Sequence, residues 1–201
     1  MSHLGSYEVA ARSFQKYGLK LLLMMGEKEA RLVARDQRET LREQGITIQV
    51  ASGEKDSVLG GLEAIKFIRE GGFVSIAGDL IWTEQRSLIT VNFFGREVGL
   101  ASGPYLLALI TGAPLFILFT FRVKRGKHRI MVLPPQQVKP SSRSERGKAL
   151  QENAQAYAKA LEEMVRQYPF QWYIFEPFFP SEDPSAGRRQ ETANSSCPKL
   201  F

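Results

Sequence analysis

Cysteine is nearly absent: the 201 residues hold one, Cys197, near the end of a polar tail. A lone thiol builds neither a disulfide framework nor a cysteine-based zinc site, so the chain suits a reducing compartment. Histidine is almost as scarce, with only His3 and His128, and no cluster of metal ligands can be read; no metal is expected. An uninterrupted apolar run of spanning length is missing too. Residues 104–121 come closest, but Thr111, Gly112, Ala113 and Pro114 interrupt them, and the residue before a proline is driven out of helix. This stretch reads as a short buried helix over 105–110, a turn, and a buried strand over 115–121. No glycine-rich phosphate loop follows any predicted strand. Gly60-Gly61 and Gly71-Gly72 lack the required spacing, which argues against a nucleotide-binding enzyme. The N-terminus shows no succession of basic, apolar and small residues, so export is not indicated.

What is present is the composition of a globular chain, 43% hydrophobic and 24% charged, long enough for one well-filled core. A net charge of +6 favours an anionic partner. A membrane surface, an acidic carrier protein, a nucleotide and a nucleic acid all qualify, and charge does not choose among them.

Strands and helices alternate through the first eighty residues. A helix starts after Gly5-Ser6, with apolar positions at Tyr7, Val9, Ala10, Ala11 and Phe14. Residues 19–25 form a short apolar strand, 27–44 a charged helix stopped by Gly45, 46–50 a strand, 57–70 a helix closed by Gly71-Gly72, and 73–77 a strand running into Gly78-Asp79. This order predicts a single-domain α/β layered fold with a mostly parallel or mixed central sheet flanked by helices. Strands are further predicted over 88–94 and 127–133, the latter paired with the 115–121 strand across Lys124-Arg125-Gly126. A long amphipathic helix is predicted over 146–167 and an aromatic segment over 169–179. Residues 181–201 read as a disordered tail.

Chemistry concentrates at the start. His3 stands five positions before Glu8, with Gly5-Ser6 between them as a turn and N-cap. A carboxylate in the first helical turn is favoured by the helix dipole, and it could curl back to one nitrogen of His3 so that the other takes a proton. Ligands in layered α/β folds bind beyond the carboxyl ends of the strands, where His3 and Gly78-Asp79 would meet at one cleft. Against this stands the plain reading of a solvated terminal histidine and an ordinary first-turn acid.

In order, the chain offers His3-Leu4-Gly5-Ser6-Tyr7-Glu8, Ala77-Gly78-Asp79, Val91-Asn92-Phe93-Phe94-Gly95-Arg96, Ser102-Gly103-Pro104, Leu106-Leu107-Ala108, Thr111-Gly112-Ala113-Pro114 and Tyr168-Pro169-Phe170-Gln171-Trp172-Tyr173. That succession resembles the lipid A biosynthesis (late) acyltransferases of the lysophospholipid acyltransferase superfamily, from residue 3 to about residue 179. The resemblance implies a glycerolipid acyltransferase-like fold. It implies transfer of a fatty acyl chain from an acyl carrier protein or coenzyme A thioester to a hydroxyl of a lipid or glycolipid, at the cytoplasmic face of the inner membrane. The thioester is a co-substrate, and no other cofactor is implied. His3 would be the general base and Glu8 its orienter, with Asp79, Arg86, Phe94, Gly95 and Gly103 near the substrates. The family normally carries a membrane helix and a strand ahead of its histidine, whereas Met1 stands two residues before His3. In-frame sequence upstream is therefore expected to encode an apolar helix.

Arg122, Lys124, Arg125, Lys127, His128 and Arg129 crowd one hairpin. They could dock an acidic carrier protein or anionic headgroups, or merely protect an edge strand. Competing readings are a non-catalytic basic module binding nucleic acid or an anionic membrane surface through this hairpin and the aromatic 169–179 segment, and a degenerate acyltransferase homologue.

Overall fold

Leu21, Leu22 and Leu23 are buried almost completely, as expected of a central strand covered on both faces. They open β1 (Leu21–Gly26), which pairs in parallel with β2 (Ile46–Ala51) on one side and β3 (Phe73–Ile76) on the other, giving the order β2-β1-β3. Leu21 lies opposite both Ile46 and Phe73. The computed structural model describes residues 3–26, 41–43, 45–51, 53–79, 88–174 and 178–179. Most of the helix expected over 27–44, the tail 181–201 and Arg86 lie outside them.

Helix α1 (Tyr7–Lys16) buries Ala10 and Ala11, and its Phe14 meets Phe73 edge-on at 5.4 Å. Ser6 occupies the N-cap position with an extended backbone, but its side chain makes no capping bond. Helix α2 (Gly53–Arg69) lies between β2 and β3 in the chain and starts four residues earlier than expected.

The second half of the chain is antiparallel. β4 (Leu88–Phe93) and β5 (Arg96–Ala101) form a hairpin whose two-residue turn, Phe94-Gly95, has φ of 52° and 76°. Positive φ at both positions is the type I′ geometry that matches strand twist. β5 was not anticipated. After helix α3 (Gly103–Thr111) and the left-handed Gly112, the chain enters β6 (Leu118–Lys124), paired with β7 (Lys127–Val132). The strand expected over 115–121 thus starts three residues later. Leu115 makes only an isolated bridge to Gln136 before the continuous ladder begins at Leu118. Helix α4 (Arg146–Gln167) buries Ala154, Tyr157, Ala158, Leu161, Met164 and Val165 at helical spacing and lies across β4. A 3₁₀ turn (Pro169–Gln171) follows.

The described strands therefore make one parallel three-stranded sheet and two antiparallel pairs, a mixed α/β architecture. Two apolar clusters fill it. One packs α1 on β1 and β2, and the larger joins β4, β5, β6, α3 and α4. Among the described residues no helix is long and apolar enough to cross a membrane.

Two glutamines fasten strand edges. Gln155 of α4 accepts from the backbone N–H of Asn92 and donates to its carbonyl, both at 2.8 Å. Gln171 does the same for Arg122 on β6, at 2.7 and 2.9 Å. A carboxamide has one acceptor and one donor side, so it can substitute for a missing neighbouring strand.

Candidate active site

The segment leading into α1 and the residues just after β3 meet at a buried carboxylate. β3 ends at Ile76, and Asp79 follows after Ala77 and Gly78, with its side chain fully enclosed. Its Oδ1 lies 3.0 Å from Nδ1 of His3, and its Oδ2 accepts the His3 backbone N–H at 2.7 Å and the Trp172 indole N–H at 3.1 Å. Three donors from two distant stretches of chain converge on one acid, which is how a buried charge is tolerated. A carboxylate only accepts, so Nδ1 of His3 carries the proton in this contact. The His3 side chain is 25% exposed, so the ring stands at the boundary between core and surface.

The segment bearing His3 is held like a short strand. Leu4 bridges Trp172, the Gly5 N–H donates to the Gln171 carbonyl at 2.7 Å, and the Tyr173 N–H donates to the His3 carbonyl at 3.0 Å. On its other side Gly5, at φ +75°, lies against the backbone of β6, where a Cβ would stand 1.5 Å from the Thr120 carbonyl oxygen. His3 is thus wedged between β6 and the 171–173 strap. Gly78 is constrained in a similar way, because a Cβ there would sit 2.7 Å from the Tyr157 ring.

Tyr105 and Tyr157 complete the surroundings of Asp79. Burial pushes both phenols well above their ordinary pKa, and the Asp79 charge pushes them further. Both therefore stay protonated near neutral pH. Among the described residues no group of three or more histidine, cysteine or acidic side chains lies together as a metal site would require.

The structure brings His3 and Asp79 into contact, although 76 positions separate them. Asp79, expected beside the substrates, has both carboxylate oxygens engaged with His3 and Trp172. Glu8 is the second residue of α1, but its side chain lies outside the described residues, as does Arg86. Phe94 and Gly95 form the β4–β5 turn. The Phe94 N–H donates to Glu162 at 2.9 Å and its ring lies 4.8 Å from the Arg166 guanidinium. The bond from Arg166, followed by the one from Phe94, holds the Glu162 carboxyl below the usual range. The neighbouring Phe93 packs on Trp172 and Phe178 with centroids 5.6 and 5.2 Å away. Gly103 opens α3 on the exposed side.

Trp172 was missed as a site residue, being read only as part of an aromatic packing segment. The signal was there in principle, since a buried indole N–H needs an acceptor. Replacing Trp172 with Phe keeps the ring stack and removes only that donor. The expected cost is about 1.5–3 kcal/mol, as for a hydrogen bond to a charged group. In a chain of this size it lowers Tm by about 2–4 °C per kcal/mol. Thermal unfolding checks this, and an unchanged Tm would show that the indole does not hold the carboxylate.

An apolar cavity of about 470 Å³ opens between β3, α1, α3 and the approach to β6, with Phe14, Ile76, Leu107, Ala108, Phe116 and Leu118 in its wall. Its volume falls in the range of small-molecule sites, about 300–1,000 Å³. Ile76 lies three residues before Asp79, and Leu118 two residues before Thr120, on which Gly5 rests.

An α/β protein that seats a histidine on a buried carboxylate and also carries an apolar cavity has the equipment of an acyl-transferring enzyme. The chain belongs to the bacterial lipid A biosynthesis acyltransferases, whose family model matches residues 1–180. A comparison with curated proteins finds no match.

Proposed function

We propose that this acyltransferase moves a fatty acyl chain from an acyl carrier protein or coenzyme A thioester to a hydroxyl of a lipid or glycolipid acceptor, with His3 as general base and Asp79 as its orienter. The observation that carries the reading is the 3.0 Å contact between His3 Nδ1 and Asp79, because a neutral ring that donates through Nδ1 accepts through Nε2. An alcohol is a poor nucleophile at neutral pH. As its oxygen attacks the thioester carbonyl, Nε2 takes the hydroxyl proton, and the resulting imidazolium is stabilised by Asp79. The tetrahedral adduct then collapses, breaking the carbon–sulfur bond, and the imidazolium returns the proton to the departing thiolate. The products are an ester and a thiol, and no acyl-enzyme is required. The apolar cavity suits the hydrocarbon chain. In this reading the chain works at the cytoplasmic face of the inner membrane.

The test is lipid mass spectrometry on cells expressing the gene with its upstream region, beside the same cells carrying His3→Ala. A lipid heavier by one acyl group is expected with the wild type, and its formation falls by at least about 10²–10⁴-fold, the worth of general-base catalysis, in the variant. Equal amounts in both would remove His3 from the chemistry.

A further inference from the structure

β6 and β7 leave the body of the protein together. The inner half of β6, Leu118 to Phe121, is buried, whereas Arg122, Val123 and Lys124 are exposed along with Lys127, His128 and Arg129 on β7. The register sets Lys124 directly opposite Lys127 and Arg122 directly opposite His128. Like charges opposed across an antiparallel pair destabilise the pairing, and a two-stranded ribbon is marginal by itself. Among the described residues no carboxylate lies within ion-pair distance of the hairpin's cations. Among the described residues, therefore, nothing relieves the repulsion.

A second feature adjoins it. Gln171, whose carboxamide holds the Arg122 backbone, is preceded by Phe170, 94% exposed, and followed two residues later by Tyr173, 48% exposed. Val123 and Val132 on the hairpin are also about half exposed. Basic side chains attract a negatively charged bilayer surface, and exposed aromatic and aliphatic side chains enter its headgroup layer. An acidic protein partner would account for the cations but not for an almost bare phenylalanine beside them.

We propose that the β6–β7 hairpin, with Phe170 and Tyr173, is a docking surface for an anionic lipid bilayer. The inference deepens the transfer reading and rests on it for its purpose. The 171–173 strap that carries Tyr173 also pairs with the His3 segment and holds Asp79 through Trp172, so docking here sets the His3 side of the protein against the lipid that supplies the hydroxyl.

Co-sedimentation of the full chain with phosphatidylcholine vesicles, with and without phosphatidylglycerol, tests the proposal. Binding is expected with the anionic vesicles and should weaken steeply with salt. The double variant Lys124→Gln/Lys127→Gln should lower it about thirtyfold, at the usual worth of a basic side chain beside an anionic surface. Phe170→Ser should lower it as well, while its circular dichroism stays that of the wild type. Wild-type binding by these variants overturns the proposal. So does loss of transfer from an acyl carrier protein with vesicle binding intact, which would assign the cations to the carrier. His3→Ala should bind vesicles as the wild type does. A wild-type rate of acyl transfer in that variant would sink the catalytic reading and leave the docking result standing.

Discussion

Asp79→Asn lowers the rate of acyl transfer by about 10³–10⁴-fold while leaving the fold intact. The substitution changes one oxygen to an NH₂ group, and the three donors around Asp79 dictate which. Oδ2 receives both the His3 backbone N–H and the Trp172 indole N–H, whereas Oδ1 faces only Nδ1 of His3. The single amide oxygen of asparagine must take the Oδ2 place, because an NH₂ there would confront two donors. The NH₂ is then turned toward Nδ1, which has to accept. The imidazole proton moves to Nε2, and the nitrogen that should take the hydroxyl proton already carries one. The comparable acid-to-amide change in a serine protease triad costs about 10⁴ in kcat through the wrong tautomer. Asp79→Ala should be less harmful than Asp79→Asn, since it removes the orienter without enforcing the wrong form. Nitrogen-15 NMR of the His3 ring reads the tautomer directly. Proton on Nδ1 in the wild type and on Nε2 in Asp79→Asn is the expected pair of results. Unimpaired transfer by Asp79→Asn would remove the pair from the mechanism.

The position of His3 was legible because histidine is so rare in the chain and because a turn and a helix start follow it at once. Its contact with Asp79 was not. Local spacing offers Glu8, five residues on, whose side chain lies outside the described residues, whereas the contact with Asp79 spans 76 residues and that of Asp79 with Trp172 spans 93. Tertiary folding alone brings such residues together. The same division runs through the fold. β1 is a continuous apolar run and α4 repeats its apolar residues every three or four positions, so periodicity reveals both. β5 has inward Val98 and Leu100 alternating with outward residues, yet the turn ahead of it hid the hairpin. A type I′ turn usually announces itself with Asn-Gly, and here Phe94 occupies the first left-handed position, its ring against Arg166 and its N–H on Glu162. The contacts that hold Phe94 there come from α4, 68 residues away.

Gly5→Ala should abolish acyl transfer, and the comparison with Gly18→Ala shows why. Both glycines have left-handed backbones, at φ +75° and +67°, so an alanine at either carries the strain of that conformation, about 1–2 kcal/mol. At Gly18 the new methyl group meets nothing within 4 Å. At Gly5 it would stand 1.5 Å from the Thr120 carbonyl oxygen and 2.5 Å from the carbonyl carbon, both of them backbone atoms of β6 that no rotamer change can move aside. The segment must therefore leave β6. Its bonds to Gln171 and Tyr173 and the seat of His3 on Asp79 then go with it. If the strap follows and the larger core opens, the loss exceeds about 4 kcal/mol, the range reserved for severe backbone or core disruption. If only residues 3–5 detach, the core melts near its normal temperature but His3 no longer meets Asp79. Either way transfer is lost in Gly5→Ala, while Gly18→Ala loses a few degrees of Tm and keeps its activity. Hydrogen exchange separates the two routes: protection of the Gly5 and Tyr173 amides disappears in both, and that of the β6 amides only in the first. Equal activities for the two alanine variants would mean that packing against Thr120 does not seat the histidine.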